Sequence, residues 1–203
     1  MLAAAGLAVL CGCGPNGGAS SAGGTPSAPV ATAAPTTTAP AAPTAPASPM
    51  ARSLPRRLRI PSIGVDTPVM SLGLNADGTV QVPPIEAKAP AGWYKGSPTP
   101  GQLGPSVLLG HVTVGSYGDG VFLHLDRMRP GDRVSVVRAD GSVAAFTVDR
   151  VQTVAKSRFP TSQVYGNVDR PELRLITCGG TRISGGGGYP DNVIVYASLV
   201  SGS

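Results

Sequence analysis

Short apolar runs separated by turn residues dominate the chain from residue 54 onward. Apolar and polar residues alternate within several of these runs, as on strands with one buried face, and there is little helical periodicity. Asp140 and Gly141 separate two of the runs and form a strong hairpin-turn signal. The pattern predicts a helical turn within residues 121–128 and an all-β fold, a barrel or a sandwich. We expect strands at residues 57–60, 65–69, 79–82, 106–110, 133–138, 143–148, 151–154, 173–177 and 193–199.

The N-terminal quarter of the chain has a different composition. Residues 1–13 form a short apolar segment that is typical of a secretory leader and too short for the roughly 20 residues that span a bilayer. Its end, Leu-Cys-Gly-Cys13, resembles a bacterial lipobox, which would make Cys13 a lipid anchor. Residues 14–52 contain eight prolines and a single charge, so we expect a disordered, semi-stiff tether. Residues 53–203 then form the folded domain.

The charge composition and the N-terminal segments indicate which partners and which location to expect. All 16 Lys and Arg and all 11 Asp and Glu residues lie after Ala51, and the formal net charge is +5. This balance, without a pattern of basic and aromatic residues, argues against a nucleic-acid partner. The leader and tether predict an extracytoplasmic protein of the cell envelope, held at the membrane through the leader or through a lipid.

A single cysteine of the folded domain, Cys178, ends a predicted strand and is followed by two glycines. His111 ends another buried apolar run, and an imidazole can activate a thiol and then protonate a leaving amine. A lone cysteine is more often a small buried hydrophobe, so these two residues alone leave catalysis open. His124 has no comparable setting, and the few Cys and His residues show no zinc-site spacing.

An acyl-transfer site also needs hydrogen-bond donors for the oxyanion that develops in the transition state. Arg182, four residues after Cys178, could supply a guanidinium, although an exposed loop cation is an equally good interpretation. The backbone amides near Gly179 and Gly180 are further candidates, because glycine allows a ligand to approach closely.

A set of motifs in a characteristic order resembles the sortases, and its details resemble the class F branch of actinobacteria. The resemblance covers about residues 54–200. The sortase motifs are Leu-Leu-Gly-His111-Val, Arg-Pro-Gly-Asp132, Leu-Ile-Thr-Cys178 and Val-Ile-Val-Tyr-Ala197. The class F details are Trp93-Tyr94, Pro98-Thr-Pro-Gly101, Phe159-Pro-Thr161, Val164-Tyr-Gly166 and Cys178-Gly-Gly180.

The resemblance implies a closed eight-stranded β-barrel with short helical turns and a cysteine transpeptidase that acts without metal or organic cofactor. Its substrates would be secreted proteins with a C-terminal sorting signal of the Leu-Pro-x-Thr-Gly type. Cys178 would form a thioacyl enzyme, His111 would transfer protons, and an arginine would bind the oxyanion or the peptide. The acceptor would be an amine of a peptidoglycan precursor, and we expect the enzyme to be a monomer.

The chain departs from the sortase pattern at two positions. Arg174 stands where the family's Thr-Leu-x-Thr-Cys stretch has its first threonine. The place where sortases carry their arginine reads Tyr-Pro-Asp-Asn192, which leaves either Arg182 or Asn192 as the donor. Two alternatives therefore stay open: a cysteine endopeptidase that uses water as acceptor, and a peptide-binding barrel without activity.

Overall fold

A computed structural model describes residues 47–184 and 188–202. Eight strands form a closed barrel, and a single-turn α-helix, α1 (Thr161–Tyr165), lies between the sixth and seventh strands in the chain. The strands are β1 (Pro55–Ile60), β2 (Val65–Leu72), β3 (Ala91–Tyr94), β4 (Gly104–Leu109), β5 (Arg133–Arg138), β6 (Val143–Ala155), β7 (Pro171–Gly179) and β8 (Asp191–Gly202). The expected closed eight-stranded all-β barrel is confirmed.

The order of strands around the barrel brings together segments that are distant in the sequence. It runs β1-β2-β3-β4-β7-β8-β6-β5 and closes through antiparallel pairing of β5 with β1. Two neighbouring pairs are parallel, β2 with β3 and β4 with β7, and the remaining pairs are antiparallel. Because β4 and β7 run in the same direction, the residues that follow their C-terminal ends lie at the same end of the barrel.

Alternation along the strands separates two apolar clusters. The inward-facing residues of the barrel strands fill the interior together with Phe122 and Trp93, both almost completely buried. A second, smaller cluster covers the outer face of β4, β7 and β8 and includes Val164 of α1. The outer cluster explains why β4 is apolar on both faces, a pattern that the sequence shows as a continuous apolar run, and why Ile176 stands on the outer face of β7.

The predicted hairpin is confirmed. Arg138 N donates to Ser142 O, and Gly141 adopts a φ of +84°, which glycine adopts without the steric cost of a side chain. The two strands expected at residues 143–148 and 151–154 are one continuous strand, β6, with a register shift between Val148 and Arg150. The irregularity accounts for the apparent break in the alternation.

Three expectations for local structure were wrong or incomplete. Residues 79–82 form no strand; Val80 makes only an isolated bridge with Leu74, and two prolines follow directly. The helical turn expected at residues 121–128 shrinks to a 3₁₀ turn at Leu125–Arg127. Strand β3 and helix α1 were not expected, because four- and five-residue elements carry too few periodic positions to be recognised.

Residues 47–52, assigned by composition to the tether, contact the barrel. Ala47 and Met50 pack against the interior cluster, and Met50 N donates to Gly101 O at 2.8 Å. Arg138 donates a hydrogen bond to Ala51 O. Helices long and apolar enough to cross a membrane do not occur in the described part of the chain. The predicted leader, the lipid anchor at Cys13 and most of the tether lie outside the described residues.

Candidate active site

Strand β7 carries Cys178, the residue that the sequence selected as nucleophile, and His111, the selected base, lies two residues after the end of β4. Leu109 is paired with Ile176 in the parallel register. Just beyond this pair, Gly110 N donates to Ile176 O at 3.1 Å, and Thr177 Oγ1 donates to Gly110 O at 2.8 Å. His111 comes directly after Gly110, and Cys178 directly after Thr177. The two residues therefore lie at the same level along neighbouring segments of the chain.

Both residues belong to the outer face of the barrel by strand alternation. On β7, Leu175 faces the interior and Ile176 the outer cluster, so Cys178 has the parity of Ile176. On β4, Leu108 faces the interior and Val107 the outer cluster, which gives His111 the parity of Val107. Because neighbouring strands lie about 4.8 Å apart, the pairing places His111 and Cys178 at the same end of two adjacent segments.

Asn192 lies directly opposite Cys178 on β8, the neighbour of β7 on the side away from β4. The two are antiparallel partners in the β7–β8 register, and they therefore project to the same face. Val154 of β6 is paired in turn with Asn192. Arg182 lies three residues beyond the end of β7, exposed in the connection to β8. Of the two donors that the sequence left open, Asn192 is thus the one that is paired with Cys178.

The His111 ring is held by the connection between β2 and β3. Its Nε2 lies 2.6 Å from the carbonyl oxygen of Pro83, which is itself buried. A carbonyl oxygen can only accept a hydrogen bond, so Nε2 carries the proton and Nδ1 is left for a second partner. Sequence reasoning did not select Pro83, because a backbone carbonyl leaves no trace in the residue type.

Gly120 fixes the backbone of His111. A Cβ atom at position 120 would lie 2.2 Å from His111 O and 2.9 Å from His111 Cβ, so only glycine fits there. Phe122 N donates to the same oxygen at 2.9 Å. The side chain of Phe122 belongs to the barrel interior, and it therefore links the position of His111 to the core.

A cavity of about 420 Å³ lies beside Cys178. Its walls come from the ends of β6, β7 and β8 and from the two connections that follow β4 and β7. They consist of Val112, Phe122, Leu123, Asp126, Thr153, Thr177, Cys178, Gly179, Gly180, Tyr189 and Val193. No three His, Cys, Asp or Glu side chains of residues 47–184 and 188–202 are grouped so that they could hold a metal ion.

Comparison with known protein families decides the identity of the fold. A family model described as the sortase domain matches residues 58–200. The chain belongs to the sortase family.

Solved sortase structures are similar to this sortase over most of its barrel. Sortase C-1 from Actinomyces oris has 22% identity and a TM-score of 0.54, covering 71% of this chain and 73% of its own. Sortase A from Corynebacterium diphtheriae has 19% identity and a TM-score of 0.55, covering 74% and 62%. Sortase C1 of GBS Pilus Island 1 has 20% identity and a TM-score of 0.54, covering 71% and 64%.

The similarity covers only part of each solved chain. This sortase spans 64% of the length of the pilus-island sortase C1. At identities of 19–22% the structures establish the shared fold. A comparison with curated protein sequences finds no match.

A buried apolar floor on the outer face of this sortase adjoins Cys178. Val107, Ile176, Ile194 and Tyr196 form this floor, and Val164 of α1 packs against them, so that all five side chains are almost completely buried. A larger cavity of about 670 Å³ lies towards the beginning of β4 and is lined by, among others, Leu74, Val80, Tyr94, Pro98, Leu103 and Tyr165.

Two tyrosines of this region pack against each other. The rings of Tyr94 and Tyr165 meet edge to face with centroids 6.2 Å apart. Burial raises the pKa of the Tyr165 hydroxyl above its ordinary value of about 10. The wall formed by α1 therefore offers aromatic carbon and an uncharged hydroxyl, which suit an apolar peptide segment.

Arg174, the residue that replaces a threonine of the family motif, connects β7 to α1. It forms a buried ion pair with Glu172, and Arg170 Nη2 contacts the second oxygen of that carboxylate at 2.6 Å. Arg174 Nε donates to Gln163 O at 3.2 Å. Arg150 donates to the Gln163 side chain at 3.0 Å. The guanidinium groups of Arg174 and Arg150 therefore hold α1 against the outer face of the barrel.

Proposed function

We propose that this sortase is a cysteine transpeptidase of the class F type that acts on secreted proteins with a C-terminal Leu-Pro-x-Thr-Gly sorting signal. The observation that carries the proposal is the pairing of Cys178 with Asn192, together with the position of His111 just after the neighbouring strand β4. The class assignment rests on the sequence motifs around Trp93, Phe159 and Cys178. The cavity of about 670 Å³, with exposed Leu74 and Leu103 in its lining, offers carbon surface that the Leu and Pro side chains of such a signal would bury.

The first half-reaction transfers the peptide to the enzyme. His111 Nδ1 takes the proton of the Cys178 thiol, and the thiolate sulfur attacks the carbonyl carbon of the threonine–glycine bond, so that a C–S bond forms as the carbonyl oxygen becomes an oxyanion. The C–N bond then breaks while the His111 imidazolium donates the Nδ1 proton to the leaving glycine nitrogen. The hydrogen bond from Nε2 to Pro83 directs the other ring nitrogen, Nδ1, to this proton transfer.

The oxyanion requires donors on the face that Cys178 shares. The position of Asn192 opposite Cys178 supports its side-chain amide as a donor, and the backbone amides that follow Cys178 add to it. Arg182 is the second candidate, from the β7–β8 connection. A guanidinium there would form a stronger, charge-assisted hydrogen bond than the neutral amide.

In the second half-reaction an amine of a peptidoglycan precursor accepts the peptide, and water replaces it more slowly. The leader, the proline-rich tether and the lipobox-like Cys13 support an envelope location with the domain held away from the membrane. The sortase acts as a monomer in this proposal and needs no cofactor for either half-reaction.

Mass spectrometry of the enzyme with a Leu-Pro-x-Thr-Gly peptide tests the proposal. We expect a mass increase on Cys178 equal to the peptide up to threonine, and an amide product when an amine is added. Cys178→Ala should lose turnover and keep peptide affinity within about twofold. Identical products with and without amine would identify an endopeptidase that uses water. Absence of any adduct on Cys178 would identify a peptide-binding barrel without activity.

A further inference from the structure

The cavity beside Cys178 lies at the end of the barrel, apart from the outer apolar surface. Phe122 and Val193, two of its lining residues, belong to the interior cluster. Val112, the residue after His111, lines it as well. Cys178 therefore adjoins two different environments, the apolar floor on the outer face and this cavity at the barrel end.

The cavity differs from the apolar floor in its polar groups. Asp126 is the only charged residue among its described lining residues, and no ion pair occupies its carboxylate within the described part of the chain. Three hydroxyl groups accompany it, those of Thr153, Thr177 and Tyr189. Arg127 and Arg129 are close to Asp126 in the sequence, but neither lines the cavity.

Tyr189 closes the cavity by joining two connections. Its hydroxyl donates to Thr113 Oγ1 at 3.3 Å, which links the β7–β8 connection to the segment after β4. A cavity of about 420 Å³ is within the size range of small-molecule sites. It therefore has room for the end of a peptide or of an amino-acid side chain next to the reacting sulfur.

We propose that this cavity is the acceptor subsite, and that Asp126 recognises the acceptor as a primary ammonium group. The inference rests on the proposed transpeptidation. Once the sorting peptide occupies the larger cavity of about 670 Å³, the acceptor must reach the thioester carbonyl from another direction, and the cavity beside Cys178 provides one. An alkylammonium ion is the form in which a primary amine arrives at neutral pH, and a lone carboxylate attracts it.

The transfer step balances with groups that are present. The ammonium loses one proton to solvent, and the free amine nitrogen attacks the thioester carbonyl carbon. The C–N bond forms, the C–S bond breaks, and Cys178 leaves as a thiolate. His111 takes the second proton from nitrogen, so the products are an amide and a thiolate–imidazolium pair. Asp126 binds and orients the amine and does not exchange protons with it.

Competition between amine and water measures the role of Asp126. The full chain would be acylated with a Leu-Pro-x-Thr-Gly peptide or the corresponding peptide thioester, and glycinamide would be titrated as acceptor. We expect Asp126→Asn to raise the half-saturating glycinamide concentration, read from the ratio of amide to hydrolysis product, about two- to fivefold. The difference should shrink in high salt, because ions screen an exposed carboxylate.

Two comparisons make the result specific. Asp169→Asn removes an exposed carboxylate far along the chain, in the β6–β7 connection, and should leave the glycinamide dependence as in the wild type. Free glycine, whose carboxylate Asp126 would repel, should be a poorer acceptor than glycinamide, and the ratio of glycinamide to glycine turnover should fall in Asp126→Asn. An unchanged half-saturating concentration in Asp126→Asn would overturn the acceptor subsite and leave the transpeptidase intact. Failure of Cys178 to acylate with either donor would overturn the proposed function, and the subsite with it.

Discussion

At the scale of single residues, the position that faces Cys178 holds an amide where the sortase motifs place an arginine. Asn192 is the antiparallel partner of Cys178 and shares its face of the sheet. An amide donates a neutral hydrogen bond, roughly half as strong as the charge-assisted bond of a guanidinium. A site built in this way stabilises the oxyanion less, so we expect a slower acylation than an arginine at the same position would give.

Substitution at residue 192 tests this assignment. Asn192→Ala should lower kcat for a sorting peptide about 10²- to 10³-fold, the usual cost of losing one oxyanion donor. Arg182→Ala, the matched change in the exposed connection, should lower it less than threefold. Asn192→Arg should equal or exceed the turnover of the wild type. Single-turnover acylation of Cys178 provides the measurement, and a larger loss in Arg182→Ala than in Asn192→Ala would assign the role to Arg182 instead.

At the scale of elements, the short helix α1 depends on arginines of the strands beneath it. A five-residue helix is not stable by itself and must be held by tertiary contacts. Arg174 and Arg150 hold it through the carbonyl and the side chain of Gln163. Arg150 also stacks on Tyr196 with its guanidinium carbon 3.4 Å from the ring centroid. Helix α1 is thus positioned by arginine side chains on the outer face of the barrel, which the helix covers.

Removal of Arg174 should therefore affect both stability and peptide binding. Arg174→Ala leaves the buried Glu172 carboxylate with Arg170 alone, and we expect a loss of roughly 3 kcal/mol in the free energy of unfolding. The Michaelis constant for the peptide should rise as α1 loosens. Arg150→Ala should cost under about 1 kcal/mol, since its bonds are exposed. The double change Glu172→Leu and Arg174→Leu should recover much of the stability; failure to do so would show that the contact with Gln163 dominates.

At the scale of the whole molecule, the folded domain extends further towards the N-terminus than composition indicates. Met50 lies against Gly101 and Gly202, where a Cβ atom would approach the sulfur within 2.5 and 2.6 Å. Arg138, buried among these residues, donates hydrogen bonds to Ala51 O and to Ser142 Oγ. Composition assigned residues 47–52 to the tether because they lie in a proline-rich segment. The barrel surface against which Met50 packs is formed by residues that are distant in the sequence.

Two truncations distinguish the domain from the tether. A chain that begins at Ala47 should keep its unfolding temperature and its turnover of a soluble peptide. A chain that begins at Ser53 loses the Met50 and Ala51 contacts, and we expect a loss of roughly 2–3 kcal/mol, or about 4–12 °C in Tm. Calorimetry gives the comparison. Equal melting temperatures for the two chains would show that residues 47–52 contribute nothing to the fold.

The residue pattern alone determined the all-β class, the hairpin at Asp140–Gly141 and the choice of His111 and Cys178 as the residues to examine, because alternation, turn chemistry and residue type are local properties. The closed barrel was expected only from the resemblance to the sortases. The pattern could not determine that β4 and β7 are parallel neighbours, and hence that His111 and Cys178 lie at the same end of adjacent segments. Only the tertiary structure placed Asn192 opposite Cys178, the Pro83 carbonyl on the His111 ring and Asp126 in the cavity. These relations depend on register and barrel closure, which arise when distant segments pack together, and no short stretch of residues encodes them.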